Sequence, residues 1–190
     1  DASNLESVAV CLLHSYANPA HENEIKRFLE ERFPSLSITT SSEVLPRFRE
    51  YERMSTCAIS AYVKPMVDRY LADLEMSLGG SGFQGHVSVV QANGGTVPAS
   101  EIRRHAARMI LSGPAAGVIG AVAAGKPLGK SDILTLDMGG TSTDVCLVTG
   151  GEPRVTTEYK VGGLPLGLPM IDITTVGAGG GSIASVDKGG

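Results

Sequence analysis

The sequence predicts an α/β fold, because apolar segments of strand length alternate with longer segments of helical periodicity. Residues 7–13 form a short, unbroken apolar run, as expected for a strand that is buried on both faces of a sheet. Residues 18–33 follow with apolar side chains at helical spacing. The chain also has 24 glycines among its 190 residues, which predicts many turns or places of close backbone approach.

The composition excludes several classes of protein. The formal net charge is -4 and Lys and Arg are not clustered, so we expect no nucleic-acid partner. No apolar run approaches membrane-spanning length, and residues 1–4 lack the basic start of a signal peptide, so we expect no membrane association. Cys11, Cys57 and Cys146 are widely spaced, which predicts buried free thiols and a reducing, cytoplasmic setting.

The first half of the chain predicts two strands and two helices. After the strand at residues 7–13 and the helix at residues 18–33, residues 36–40 are predicted as a short strand. A long helical pattern covers residues 50–78, within which Pro65 predicts a kink or a break between two helices. We predict that this helix buries a stripe of mostly apolar side chains: Met54, Cys57, Ala61, Met66, Tyr70, Leu74 and Leu78.

A glycine-rich segment at residues 79–82 predicts the end of the long helix and a flexible joint. It divides the chain into a strand and helical part, residues 1–84, and a second part, residues 85–190. In the second part, residues 86–91 are predicted as a strand, and a helix is predicted to start at Ser100.

Residues 112–125 are almost all small or apolar, which predicts a helix that packs closely beneath a site. Its end, from Gly120 to Lys126, has the spacing G-x-x-x-x-G-K of a phosphate-binding Walker A loop. Pro127 stands where that loop needs Ser or Thr to bind magnesium, and a helix precedes the segment instead of a strand. We therefore reject the Walker A interpretation.

The strongest functional signal is the acidic, glycine-containing turn at residues 137–144. Apolar runs at residues 133–136 and 145–148 flank it, which predicts strand, tight turn and strand. Glycine amides in such a turn can close around a phosphate. The carboxylates of Asp137 and Asp144 suit a hydrated Mg²⁺ ion that also touches nucleotide phosphates. A plain Gly-Gly hairpin with solvated acids is the alternative interpretation.

A second glycine-rich loop lies at residues 177–182. It follows a predicted strand at residues 171–176 and resembles a dinucleotide fingerprint with Ser182 in the third glycine position. Such a loop would let the backbone approach a nucleotide closely, and a plain turn is the alternative. Residues 154–161 are predicted as another strand. The sequence has no Ser-His-Asp elbow or paired-cysteine metal motif, so any chemistry must come from carboxylates, backbone amides and bound nucleotide.

Six stretches of the chain, taken in order, carry a specific resemblance. They are residues 15–22, 49–53, 91–96, 112–118, 137–144 and 175–184. Together they resemble the hydantoinase A and 5-oxoprolinase family, which includes subunits of acetone and acetophenone carboxylases. The similarity covers nearly the whole chain.

The resemblance implies the actin-like ATPase superfamily, with ribonuclease H-like α/β subdomains around a nucleotide cleft. It makes the turn at residues 137–144 the second phosphate-binding loop, residues 112–118 part of the helix beneath it, and residues 177–182 the adenosine loop. The family's first phosphate loop is missing, so we expect residues 1–190 to be an internal fragment of a longer hydantoinase A-type domain. Thr174 stands where many relatives have a histidine.

The function that the resemblance implies is ATP-dependent hydrolysis of a small cyclic amide of the hydantoin or 5-oxoproline type. ATP and Mg²⁺ would be the cofactors, and a hydantoinase B-type subunit or domain would be the partner. Asp137 and Asp144 would be the catalytic residues and the metal ligands. The expected nucleotide-binding residues are Gly139, Gly140, Thr141, Ser142, Thr143, Gly177, Gly179, Gly180, Gly181 and Ser182.

Two other functions remain open at this point. One is the ATP-using subunit of an acetone or acetophenone-type carboxylase, which would consume bicarbonate. The other is a non-catalytic actin-like module for nucleotide binding or assembly.

Overall fold

The computed structural model describes residues 5–183 and 185–186. The first half of the chain consists of two paired parallel strands and three helices. The elements are β1 (Ser7–Val10), α1 (Ala20–Arg32), β2 (Ser37–Thr40), the short α2 (Ser41–Val44) and the long α3 (Glu50–Gly80). Val8 lies opposite Ile38 in the parallel register, and α1 connects the two strands. This arrangement confirms the α/β character predicted for the first half.

The second half is built from short strands and four helical segments. Its elements are β3 (Ser88–Val90), β4 (Thr96–Pro98), α4 (Ala99–Arg104), a 3-10 turn (Ala106–Met109), α5 (Ser112–Gly125), a second 3-10 turn (Lys126–Leu128), β5 (Ile133–Met138), β6 (Thr143–Thr149), β7 (Glu152–Pro153), β8 (Val155–Thr156), β9 (Tyr159–Val161), β10 (Leu164–Leu166), β11 (Met170–Ile171) and β12 (Thr174–Val176). Two predicted strands, at residues 154–161 and at residues 171–176, are each divided in two. Residues 154–161 form β8 and β9, because the Thr156 hydroxyl accepts a hydrogen bond from the Glu158 amide and bends the chain between them.

The long helix α3 differs from its prediction in two ways. It continues through Pro65 as one helix, so a break at that residue is wrong. The predicted buried stripe is wrong for Met54, Met66 and Tyr70, which are 50%, 50% and 54% exposed. The buried side chains of α3 are mostly small or polar: Arg53, Ser55, Thr56, Cys57, Ile59, Ser60, Ala61 and Leu71. Polar groups are tolerated on this face because several of them find hydrogen-bond partners in neighbouring segments.

The cysteines are free thiols, as predicted. Cys57 and Cys146 are buried, whereas Cys11 is only half-buried. Burial, and then the neighbouring Cys11 and Glu22, raise the pKa of the Cys57 thiol to about 12. Burial and the nearby Asp172 also raise the pKa of Cys146. Both groups therefore stay protonated near neutral pH and act as small apolar side chains.

The sheet that carries the acidic hairpin is antiparallel, with the order β12-β6-β5 and with β7 also paired to β6. Helix α5 packs on one face of it through Ala115 and Val118, which share a core cluster with Cys146, Val148 and Ile173. The position of α5 confirms the prediction of a small-residue helix beneath the hairpin. The G-x-x-x-x-G-K segment lies in α5 and the following 3-10 turn instead of a loop, so its rejection as a Walker A motif is confirmed.

A second core cluster takes residues from both halves of the chain. Leu45 and Ile59 from the first half contact the same cluster as Ala92, Leu166 and Met170 from the second. The division at residue 84 stays a prediction, and this cluster joins the two parts on either side of it.

A buried polar cluster joins the ends of β1 and β2 to the start of α3. Glu22 is fully buried and accepts hydrogen bonds from the Leu12 amide at 2.8 Å, the Ser41 hydroxyl at 2.6 Å, and the amide and hydroxyl of Ser42 at 2.8 and 2.6 Å. Arg53 is also fully buried and donates to the Ser41 hydroxyl at 3.1 Å and the Leu12 carbonyl at 2.7 Å. The cluster therefore fixes the two loops that follow the parallel strands.

We expect Glu22→Gln to lower the free energy of unfolding by about 1–3 kcal/mol at neutral pH, because an amide cannot accept all four hydrogen bonds. Burial alone would raise the pKa of Glu22, but the bonds from Ser41, Ser42 and Leu12 lower it below its usual 4.5. A carboxylate with a lowered pKa in the folded state stabilises the fold above its unfolded pKa, and this stabilisation disappears as the pH falls through the folded pKa. The difference between variant and wild type should therefore shrink below pH 4.5.

Denaturant unfolding measured at several pH values checks this expectation. Glu24→Gln is the matched control, because Glu24 is an exposed residue of the same helix. Equal stability of Glu22→Gln and wild type at pH 7 would contradict the role assigned to the cluster.

Candidate functional site

The two acids of the hairpin meet across the strand pair. Asp137 lies opposite Asp144 in the antiparallel register of β5 and β6, and Met138 lies opposite Thr143. Directly opposed residues have Cβ atoms about 4.5–5.5 Å apart and point to the same face of the sheet. Both carboxyl-bearing residues line a groove of about 320 Å³ between α5 and the hairpin, together with Pro114. The predicted strand, turn and strand are confirmed.

The turn itself offers free amide donors. The Gly139 amide donates to the Ser142 carbonyl at 2.9 Å and so closes the turn. The amides of Gly140 and Thr141, both exposed, have no backbone acceptor within the described part of the chain. Two adjacent free amides next to two carboxylates suit an anion that carries a cation, such as a metal-bound phosphate.

The second glycine loop lies directly against this turn. Strand β12 pairs with β6, which places Thr175 opposite Asp144. The Gly180 amide donates to the Gly139 carbonyl at 2.9 Å, and the Thr143 hydroxyl donates to the Ala178 carbonyl at 2.6 Å. The structure therefore brings the two loops singled out in the sequence together on one surface.

Gly179 makes the closest approach between the loops. A Cβ atom at this position would lie 2.6 Å from the Gly140 carbonyl carbon and 2.7 Å from the Thr141 nitrogen. Distances this short do not occur for real Cβ atoms, and backbone atoms cannot move aside as a side chain can. The Gly179 amide also donates to the Ser182 hydroxyl at 3.0 Å, which shapes the loop from within. Gly177 is exposed, with open space around it. The last residue of the resembling stretch, Ala184, lies outside the described residues.

Two residues of the site are not apparent from sequence. The Thr175 hydroxyl donates to Asp144 Oδ1 at 2.6 Å and so orients that carboxylate. Burial, and then the Asp144 charge, raise the pKa of the Tyr159 phenol. The register of β12 on β6 reveals the Thr175 contact, which the sequence alone does not show. Thr174 pairs with Val145 and so points to the sheet face opposite Asp144.

The donor set fits a hydrated Mg²⁺ ion. Among the described residues, no group of three or more His, Cys, Asp or Glu side chains could hold a metal by itself. Mg²⁺ usually takes only one or two protein carboxylates and keeps water or phosphate oxygens as its other ligands. Asp137 and Asp144 provide such a pair.

The described helices include none that is both long and apolar enough to cross a membrane.

Two family models match successive parts of the sequence. The model of the hydantoinase/oxoprolinase N-terminal region matches residues 1–33, and the hydantoinase/oxoprolinase model matches residues 53–190. The chain belongs to the hydantoinase/oxoprolinase family. The family predicted from the six sequence stretches is thereby confirmed.

The hydantoinase/oxoprolinase chain is similar to relatives with different substrates. It is 34% identical to caprolactamase subunit alpha of Pseudomonas jessenii, over 96% of the chain and 26% of that protein. It is 36% identical to 5-oxoprolinase 1 of Arabidopsis thaliana, over 94% of the chain and 14% of that protein. The curated relatives that it matches are therefore much longer, and the chain spans between 14% and 29% of their length.

Solved structures of the hydantoinase/oxoprolinase family have the same mixed arrangement of helices and sheets. The crystal structure of the ATP-dependent caprolactamase from Pseudomonas jessenii superimposes with a TM-score of 0.84 at 34% identity, covering 96% of this chain and 26% of that one. The nucleotide-free structure of acetone carboxylase gives a TM-score of 0.81 at 31% identity, covering 98% and 27%. The relatives in both of these enzymes are named as subunits, so these two family members work in multi-subunit assemblies.

Proposed function

We propose that the full-length protein containing this chain uses ATP to activate and hydrolyse a cyclic amide of the hydantoin or 5-oxoproline type. The observation that carries the proposal is the opposed pair of Asp137 and Asp144 beside two glycine loops in direct contact. Relatives also support the proposal, because the family includes an ATP-dependent caprolactamase and 5-oxoprolinases. We also assign the chain to the ribonuclease H-like, actin-type ATPase fold, supported by the antiparallel β5-β6-β12 order with α5 on one face.

The site residues would have two roles: the acids would hold the metal ion, and the loop amides would orient the phosphates. Asp137 and Asp144 would hold Mg²⁺, and the ion would offset the negative charge of the phosphates. The free amides of Gly140 and Thr141 would donate to phosphate oxygens, while Gly139 keeps the turn closed. The remaining assigned nucleotide contacts are Ser142, Thr143, Gly177, Gly179, Gly180, Gly181 and Ser182.

The reaction would proceed in three balanced steps. Transfer of the terminal phosphoryl group from ATP to the amide oxygen releases ADP and leaves the ring carbon more electrophilic. Water then adds to that carbon and the ring C–N bond breaks, which gives an open-chain amine and an acyl phosphate. A second water hydrolyses the acyl phosphate to a carboxylate and inorganic phosphate. Phosphoryl transfer depends mainly on positioning and electrostatics, so the loops and acids suffice without a protein nucleophile.

A second candidate is the ATP-using subunit of a ketone carboxylase, which the structural similarity to acetone carboxylase favours. In either case we propose a hydantoinase B-type subunit or domain as the partner. The buried Cys57 and Cys146 thiols support a reducing, cytoplasmic setting.

ADP release by the full-length protein with its partner, measured with a panel of substrates, tests the proposal. The panel contains 5-oxoproline, hydantoin, caprolactam, and acetone with bicarbonate. We expect a cyclic amide to stimulate ADP release, with one ring opened for each ADP formed. Stimulation only by acetone with bicarbonate would favour the carboxylase, and no stimulation by any compound would contradict both candidates.

A further inference from the structure

A second cavity lies between the segment that leads into α3 and the chain around β9 and β10. Its volume is about 510 Å³, and none of its lining residues belongs to the groove at Asp137. The side chains that define its character are Arg47, Phe48, Arg49, Glu52, Glu158 and Lys160. The proposed ATP site does not use this cavity.

The cavity carries an excess of positive charge. Three cations, Arg47, Arg49 and Lys160, face two carboxylates, Glu52 and Glu158, in a chain whose overall formal charge is -4. Arg49 contacts Glu52 at 3.4 Å but stays 71% exposed at its side chain, so most of its donors remain available. A guanidinium group matches a carboxylate in geometry as well as charge.

Both walls of the cavity are fixed to α3. On one wall, buried Arg53 donates to the Arg47 carbonyl at 3.2 Å and holds the segment before the helix. On the other wall, the Ser55 hydroxyl donates to the Pro165 carbonyl at 2.7 Å, and the Gly167 amide donates to the Thr56 hydroxyl at 2.9 Å. The charged side chains therefore project from a backbone that is held in place.

The backbone at the cavity is also strained. Arg49 has φ 92°, and nearby His14 has φ 56°, a left-handed conformation that residues other than glycine rarely adopt. The His14 amide donates to Glu50 Oε1 at 3.2 Å, and Glu50 forms an ion pair with Arg53. Such residues persist only where their surroundings hold them, often at ligand sites. Here the buried polar cluster around Arg53 holds the backbone of Arg49 and His14 in these conformations.

We propose that this cavity binds a small organic acid through its carboxylate group, with Arg49 and Lys160 as the charged contacts and Phe48 against its apolar part. The carboxylate belongs either to the cyclic-amide substrate or to a separate acid. Only the first of these sources rests on the proposed function.

Calorimetric binding to the full-length protein without ATP tests this site. The probes are 5-oxoproline, the neutral ring 2-pyrrolidone, which lacks the carboxylate, and glutamate, which lacks the ring. We expect 5-oxoproline to bind at least about 10-fold more tightly than 2-pyrrolidone, since a hydrogen bond to a charged group contributes this much. Arg49→Gln and Lys160→Gln should each remove about this factor for 5-oxoproline and leave 2-pyrrolidone unchanged.

Lys130→Gln is the control, because it removes the same charge from an exposed residue outside the cavity. Both test residues are exposed, so we expect the variants to fold and to bind ATP as wild type does. Tighter binding of glutamate than of 5-oxoproline would support a separate acid as the ligand.

The site would be overturned if both variants bound 5-oxoproline with wild-type affinity, or if the wild type bound 2-pyrrolidone as tightly as 5-oxoproline. It would also be overturned if no probe bound. Carboxylate binding without ATP turnover would sink the proposed function and leave the site standing. Substrate-dependent turnover that both variants retain with an unchanged KM would leave the proposed function standing and would overturn the substrate as the source of the carboxylate.

Discussion

Asp137→Asn in the full-length protein is expected to lower substrate-dependent ATP turnover by at least about 100-fold, the usual loss when a group that stabilises transition-state charge is removed. Asp137 lies opposite Asp144, and together they form the only carboxylate pair that lines the groove beside α5 in the described residues. An amide of the same shape keeps the strand pairing but removes half of the negative charge that would hold Mg²⁺. The loss should appear mainly in kcat.

ADP release with the best substrate of the panel provides the measurement. Asp73→Asn serves as the control, because Asp73 is an exposed residue of α3 away from the groove. Unfolding of the two variants should match that of wild type, since neither side chain is buried. Wild-type turnover by Asp137→Asn would remove Asp137 from the proposed mechanism.

Gly179→Ala is expected to separate the two glycine loops. The added Cβ would lie 2.6–2.7 Å from backbone atoms of Gly140 and Thr141, so the loops must move apart. We expect a loss of about 1–3 kcal/mol in the free energy of unfolding, as for other overpacked sites. ATP affinity should also fall, because the glycine loop at residues 177–182 would move away from the turn that carries the free amides and the carboxylates.

Thermal unfolding and equilibrium ATP binding measure these two effects. Gly120→Ala is the control, because Gly120 lies in α5 with open space around its Cβ position. Replacing a helical glycine by alanine stabilises a helix by up to about 1 kcal/mol, so this variant should be as stable as wild type or more so. If Gly179→Ala bound ATP as tightly as wild type, the loop contact would have no role in the site.

The acidic hairpin was predictable from the sequence because its signals are local. Two apolar strand-length runs and a Gly-Gly turn determine the hairpin, and its symmetry brings Asp137 opposite Asp144. The contact between Gly179 and the turn was not predictable, because it depends on β12 pairing with β6 over 30 residues along the chain. The resemblance placed both loops at one nucleotide, but it did not give their register.

The buried polar cluster was missed for a different reason. Glu22 and Arg53 occur in segments of helical periodicity, where charged residues ordinarily indicate the solvent face. The structure buries both because Leu12, Ser41 and Ser42 supply complementary donors and acceptors from the strand ends. The same packing explains the error at Met54, since the polar side of α3 around Arg53 faces inward. Near Tyr70 the helix instead buries Leu71, which packs in an apolar cluster with Ala99 and Ile102.

The pairing of β12 with β6 has a consequence for domain motion. Two backbone segments that share a ladder and two interloop hydrogen bonds, from Gly180 to Gly139 and from Thr143 to Ala178, behave as one rigid body. Such loops cannot close on a nucleotide from opposite sides. Closure around bound ATP would have to bring in another part of the full-length protein, with its hinge outside the hairpin and β12.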